Sequence, residues 1–172
     1  MRIILLFWLL HNFLFTVSPV NQPTTVQINY SDKLLIINGM PLRPDDLLCK
    51  YVEAIGIYDR AIPGEQYCTF YFDERGITIL VDKVCGKVEE IQFQFLPQRG
   101  AGGTVDLFDG EITINDRTLH SFPSASAVHH YFKEMKFTPV MDVLVMTQRE
   151  TFNVGVVFTQ NNELELCSVQ FF

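Results

Sequence analysis

Within the strand expected at Val88 to Leu96 the chain alternates from Glu90 to Phe95, with Ile91, Phe93 and Phe95 on one side and Glu90, Gln92 and Gln94 on the other. A period of two marks a half-buried antiparallel strand. The same reasoning predicts strands at Lys33 to Asn38, Tyr67 to Phe72, Ile77 to Val81, Gly110 to Asn115, Val143 to Thr147, Phe152 to Thr159 and Glu163 to Phe172. Asn38-Gly39 and Asn115-Asp116 are hairpin turn signals, followed by short returning strands at Met40 to Arg43 and Arg117 to His120. Two segments switch to helical spacing. Pro44 opens the first, with Asp45 and Asp46 in its first turn, Leu47, Leu48, Tyr51, Val52 and Ile55 as its apolar stripe, and Gly56 as its stop. Ser124 caps the second, Ala125 to Met135, with Val128, Tyr131, Phe132 and Met135 inward. Ile57 to Gln66 reads as a loop, and Thr25 to Tyr30 as an edge strand within a tether.

These elements occur twice in the same order. Leu35-x-Ile37-Asn38 with Leu42 matches Ile112-x-Ile114-Asn115 with Leu119. Leu48, Tyr51, Val52 and Ile55 match Val128, Tyr131, Phe132 and Met135, and Ile91 to Phe95 matches Cys167 to Phe171. The apolar phase slips at corresponding places, Val88-Glu89-Glu90-Ile91 and Leu164-Glu165-Leu166-Cys167, which predicts a β-bulge in each last strand.

The fold class expected is α+β. Internally duplicated strand-strand-helix-three-strand-meander units would form one antiparallel sheet, with two helices packed on one face. Residues 33–96 and 110–172 are the repeats, 21–32 a tether and 97–109 a linker within one compact domain. The polar face left open would carry Glu90, Gln92, Gln94, Ser168 and Gln170, with Tyr71 as an outward aromatic anchor. That face is the candidate partner-binding surface.

Residues 1–20 carry Arg2 as their only charge and an unbroken apolar run from Ile3 to Leu10 that resumes after His11 and Asn12, short for a membrane span and suited to a secretory signal. Pro19 after Ser18 makes a poor cleavage site, so an uncleaved N-terminal anchor is the alternative and a buried helix the third reading. The expected location is periplasmic or secreted, or else the inner membrane facing the periplasm. Membrane contact is then confined to the N-terminal segment.

Composition narrows the function classes. Forty-eight per cent hydrophobic residues and fifteen Phe are ample for a core, and a net charge of −7 argues against nucleic acid as a partner. Cys49, Cys68, Cys85 and Cys167 form no CxxC pair, which removes zinc-ribbon and thioredoxin-type sites. They remain candidate disulfide cysteines in an exported chain, with three pairings open, although Cys167 aligns with Ile91 and reads as a small buried apolar residue.

Catalytic groups do not converge. Asp45-Asp46 is explained by helix-start electrostatics, and His129 and His130 lie about 100° apart on a helix, a poor arrangement for one metal. His120 precedes that helix. The Gly100-Ala101-Gly102-Gly103 stretch lacks the Lys-Ser/Thr of a phosphate loop, and Cys49 has no nearby histidine to activate it. No enzyme activity, metal or cofactor is expected.

The repeated pattern of a strand ending in Ile-Asn-Gly or Ile-Asn-Asp, a short helix and a Phe-rich meander resembles small tandem-repeat domains of bacterial envelope and immunity-type proteins, over Lys33 to Phe172. In outline it is also similar to secreted β-lactamase inhibitor proteins, whose element order differs. The resemblance assigns no role to any individual residue. Expected export, small size, acidity, a duplicated sheet and the lack of converging catalytic residues lead to the expectation of a protein that binds another protein, most concretely a periplasmic immunity protein occluding an antibacterial toxin. An envelope scaffold held by an uncleaved leader is the alternative, and an unrecognised hydrolase using His120 or His129 the third.

Overall fold

The computed structural model describes residues 23–97, 103–132, 135–141, 143–147 and 152–172, so the segment expected to be a secretory leader or anchor, residues 1–20, lies outside the described residues. Among those described, no helix is long and apolar enough to cross a membrane.

The chain is mostly antiparallel β-sheet with two short helices, an α+β arrangement. The expected single sheet is instead two. The smaller contains β1 (Thr25–Asn29), β2 (Leu34–Ile37), β3 (Met40–Leu42), β8 (Glu111–Ile114) and β9 (Arg117–Thr118), in the order β3-β2-β1-β8-β9. The larger contains β4 (Arg60–Pro63), β5 (Tyr67–Phe72), β6 (Ile77–Asp82), β7 (Val88–Gln94), β10 (Thr138–Met141), β11 (Leu144–Met146), β12 (Phe152–Phe158) and β13 (Leu164–Phe171), in the order β10-β11-β12-β13-β7-β6-β5-β4. Each leading hairpin leaves its meander because Leu35 and Ile37, like Ile112 and Ile114, need apolar cover that the core side of the larger sheet supplies. Thr25 to Asn29 is not an edge strand. It lies inside the smaller sheet, antiparallel to β2 and parallel to β8.

Both sheets contribute to one core. Ile79, Ile91, Val169 and Val154 are cross-strand neighbours on the larger sheet, as are Ile77, Phe93, Cys167, Val156 and Val145. All are essentially inaccessible to water. Tyr30, following β1, meets Phe152 of the larger sheet at 6.2 Å between ring centroids.

Helix α1 (Leu48–Ile55) packs beside β3, buries Tyr51 and Ile55, and sets the Tyr51 ring edge-on to Phe171 at 6.4 Å. It starts later than the sequence suggests. Asp45 and Asp46 precede it, because the Asp46 carboxylate accepts the Arg43 N–H (2.8 Å) and closes a turn there. Before the helix, Leu47 forms an antiparallel bridge with Lys87, and the Lys87 ammonium reaches Asp45 at 3.0 Å. Helix α2 (Ala125–Tyr131) is capped by the Ser124 hydroxyl, which accepts the Ala127 N–H at 3.2 Å. It lies against β10, β11 and β12. Val128, Phe132 and Met135 are buried, but Tyr131 points outward, contrary to the helical stripe.

Each meander has four strands rather than three. Arg60–Pro63, expected as loop, is β4 on one edge, and Thr138–Met141 is β10 on the other. The last strand of each meander carries the bulge expected from its phase. Glu89 is the extra residue where Leu80 faces Glu90 but Val81 faces Val88, and Glu165 is the extra residue where Val157 faces Leu166 but Phe158 faces Leu164. The two meanders join through these strands: Gln92 faces Ser168 at the centre, with Ile91 opposite Val169 and Phe93 opposite Cys167 on either side.

The described end of the linker is docked, not merely connecting. Residues 103–108 lie along the first meander, with Phe108 buried against Phe93 (5.2 Å) and Phe95 (5.4 Å). Gly100, Ala101 and Gly102 lie outside the described residues.

Candidate protein-binding face

The side of the larger sheet turned away from the core is built from the outward positions of the alternating strands. One cross-strand row runs Arg60, Tyr71, Thr78, Gln92, Ser168, Gly155, Met146, Thr138, from one sheet edge to the other. The row on one side of it carries Ile62, Thr69, Leu80, Glu90, Gln170 and Asn153, and the row on the other carries Gln94, Leu166, Val157 and Leu144. The six residues singled out from the sequence therefore share one face, on β5, β7 and β13.

They differ in how much water they meet. Glu90, Gln92 and Gln170 are half-buried, and the Gln92 side-chain N–H donates to the Glu90 carboxylate at 3.1 Å. Tyr71, Gln94 and Ser168, expected to be open, are 6%, 4% and 6% exposed. Each has a physical reason. The Arg60 guanidinium stacks over the Tyr71 ring at 3.7 Å. Gln94 Oε1 accepts the Thr104 N–H (3.1 Å) and hydroxyl (3.2 Å), pinning the linker. Ser168 sits across from Gly155, where an added Cβ would come within 2.8 Å of its Oγ. The accessible centre of the face is thus Glu90, Gln92 and Gln170, with half-buried Thr78, Leu80, Asn153 and Leu166 near them, half-buried Leu144 farther across and exposed Ile62 on the edge strand β4. These neighbours were readable in part: Thr78 and Leu80 occupy the outward phase of Ile77-Thr78-Ile79-Leu80-Val81. The cross-strand register that places them beside Gln92 and Glu90 is not a local property of any segment.

At the margin, Arg60 and Asp73 form a bidentate pair, Nε to Oδ2 at 2.7 Å and Nη2 to Oδ1 at 3.0 Å. The same Nη2 donates to the Gly103 carbonyl (2.8 Å), and the Val105 N–H donates to Asp73 Oδ1 (3.1 Å). The Arg60 hydrogen bonds hold the Asp73 carboxyl below its ordinary range against the opposing effect of burial, with the Val105 N–H and the Arg60 charge adding to the lowering. This cluster closes the linker over one end of the face.

The other candidate chemistry is dispersed. All four cysteines are free thiols, Cys49 and Cys85 exposed, Cys68 half-buried and Cys167 buried. Burial pushes the Cys167 thiol up to about 12. His129 Nδ1 lies 2.6 Å from the Phe137 carbonyl, to which it must donate, and His120 stands edge-on to Phe95 at 4.8 Å. His129 and Ser126 line a cleft of about 390 Å³ with Pro139, Val140 and Met141. Among the described residues no group of three or more His, Cys, Asp or Glu could hold a metal ion. Comparisons of the chain with protein-family models, curated proteins and solved structures gave no match.

Proposed function

We propose that this chain is an exported protein-binding protein that covers a partner with the outward face of its eight-stranded sheet, most concretely an immunity protein occluding an antibacterial toxin in the periplasm. One observation carries the reading. Glu90, Gln92 and Gln170 stand together at the centre of a continuous sheet, with half-buried Leu80 opposite Glu90 and half-buried Leu166 and Leu144 farther along the same face. Such a surface is rigid, and it offers amide and carboxylate groups for orientation beside apolar area for affinity. We further propose that duplication of one strand-strand-helix-meander unit produced the sheet, since that brings the two last strands together about a central Gln92–Ser168 pair.

Affinity capture of the tagged protein from its native cells, with co-purifying proteins identified by mass spectrometry, tests the reading. One near-stoichiometric toxin-like partner is the expected result. An empty capture overturns neutralisation of a resident partner. Several weak envelope partners and membrane retention favour the scaffold reading instead. Substrate turnover lost on changing His129 would favour a hydrolase.

A further inference from the structure

We infer that Cys49 and Cys85 are a redox pair that closes a disulfide bond, fastening the start of α1 to the turn between β6 and β7. The sequence leaves three two-bond pairings of the four cysteines open; the fold points to this single bond. Leu47 and Lys87 are antiparallel bridge partners. Cys49 follows Leu47 by two residues and Cys85 precedes Lys87 by two, so both chains leave the antiparallel bridge toward the same end, Cys49 in the first turn of α1 and Cys85 in the turn between β6 and β7. The Lys50 N–H donates to the Leu47 carbonyl at 3.0 Å, which keeps Cys49 inside the first turn, a few ångströms from the bridge.

The opposing turn is held equally firmly. The Asp82 carboxylate accepts the N–H groups of Val84 (2.7 Å) and Cys85 (2.8 Å), and the Asp82 carbonyl accepts that of Gly86 (2.9 Å). The Lys87–Asp45 ion pair ties the same two segments from outside. Both thiols are exposed and open to an external oxidant. The alternatives are placed less well. Cys167 is inaccessible in the core, and Cys68 sits on β5 opposite Val81, in a row that includes buried Val88.

The chemistry is thiol–disulfide exchange with a small-molecule disulfide or a dithiol oxidase of an oxidising compartment. One cysteine thiolate attacks the donor disulfide, releasing one donor thiol and leaving a mixed disulfide. The second thiolate displaces the other donor thiol. Two electrons and two protons pass from the protein to the donor, and one S–S bond replaces two S–H bonds.

The test uses the full chain equilibrated with oxidised glutathione, free thiols then alkylated and the protein cut with trypsin. Cleavage after lysine and arginine puts Cys49, Cys68, Cys85 and Cys167 on four separate peptides, 34–50, 61–75, 84–87 and 150–172. The expected product is a monomer lighter by two hydrogens, with 34–50 linked to 84–87 and both other cysteines alkylated. A link through Cys68, a link between two molecules, or alkylation of both Cys49 and Cys85 overturns the assignment. Cys49→Ser and Cys85→Ser, both at exposed positions, should each fold and abolish the link. Reductant should then lower the melting temperature of the parent chain but not of either variant. An equal response in all three would show that the bond does not fasten the helix.

Discussion

Asn38 and Asn115 hold opposite ends of the same strand. Asn38 Oδ1 accepts the Thr25 N–H at 3.0 Å, while its own N–H donates to the Thr25 carbonyl at 2.9 Å. At the far end Asn115 Oδ1 accepts the Tyr30 N–H at 3.2 Å, and its own N–H donates to the Ile28 carbonyl at 3.0 Å. Both are left-handed turn residues, with φ of 51° and 45°. The two hairpin tips therefore set the register of β1, which joins one hairpin to the other.

Asn38 carries the heavier share, because its Nδ2 also donates to the Ala54 carbonyl in α1 at 2.9 Å. Asn38→Ala loses two side-chain hydrogen bonds and strains a left-handed residue, an expected loss of about 2–3 kcal/mol in urea unfolding. Asn38→Gly keeps the backbone relaxed and should lose about 1 kcal/mol less. Asn115→Ala, with one bond at stake, should cost about 1–2 kcal/mol. Equal losses for Asn38→Ala and Asn38→Gly would refute the backbone contribution.

Gly76 is required for a close approach. Its φ is +64°, and a Cβ there would lie 2.0 Å from the Phe108 backbone nitrogen. Gly86 also has positive φ, +72°, but nothing stands within 4 Å of its absent Cβ. Gly86→Ala should cost about 1 kcal/mol from conformation alone. Gly76→Ala must in addition push residues 107–108 off the sheet, with an expected loss of about 3 kcal/mol or more. Thermal melts of the two variants make the comparison, and equal losses would remove the docked linker as the reason for the glycine.

Local chemistry was legible in the sequence, and the assembly of its pieces much less so. The Asn38 and Asn115 turns, the Ser124 cap and the Glu89 and Glu165 bulges each depend on a few adjacent residues, and each occurs in the structure. Strands β4 and β10 escaped because Arg60–Pro63 and Thr138–Met141 are short edge segments containing proline, with little alternation. The parallel pairing of β1 with β8 joins residues more than eighty positions apart, and nothing in either segment encodes it. Six candidate residues fell on one face because strand phase is local. The burial of Tyr71 and Gln94 was hidden because Arg60 and Thr104 reach them from other segments.

Asp73 makes stability acid-sensitive. Its carboxyl is held below the ordinary value of about 3.9 chiefly by the Arg60 hydrogen bonds. A depressed folded-state value stabilises above the unfolded pKa, and that contribution is lost as pH falls through the folded value. Stability should therefore decline below about pH 4 in the parent chain. Asp73→Asn should cost about 1.5–3 kcal/mol at pH 7 and flatten that decline. Urea unfolding at pH 7 and pH 3 measures both, and an unchanged acid slope in the variant would exclude Asp73 as its source.

Tyr51 has a fully buried side chain whose hydroxyl has no hydrogen-bond partner among the described residues. Burial pushes its phenol far above the ordinary value, so the group stays neutral, but an unpaired hydroxyl is still costly. Tyr51→Phe keeps the edge contact with Phe171 and removes the polar atom. The expected result is a gain of about 1 kcal/mol. A loss of stability would mean that the hydroxyl has a partner.

The larger sheet separates the proposed binding residues from a holding residue on a single strand. Glu90 and Gln92 bond to each other on the open part of the face, whereas Gln94 is spent on Thr104. Glu90→Ala with Gln92→Ala should change stability by less than about 1 kcal/mol yet weaken partner binding about tenfold or more, as truncation at the centre of an interface does. Gln94→Ala should do the reverse, costing about 1–2 kcal/mol through the released linker with little effect on affinity. Calorimetric titration with the captured partner, set beside urea unfolding of the same variants, distinguishes the two roles. If the double variant binds as tightly as the parent chain, the contact surface lies elsewhere; if Gln94→Ala alone abolishes binding, the docked linker belongs to the interface.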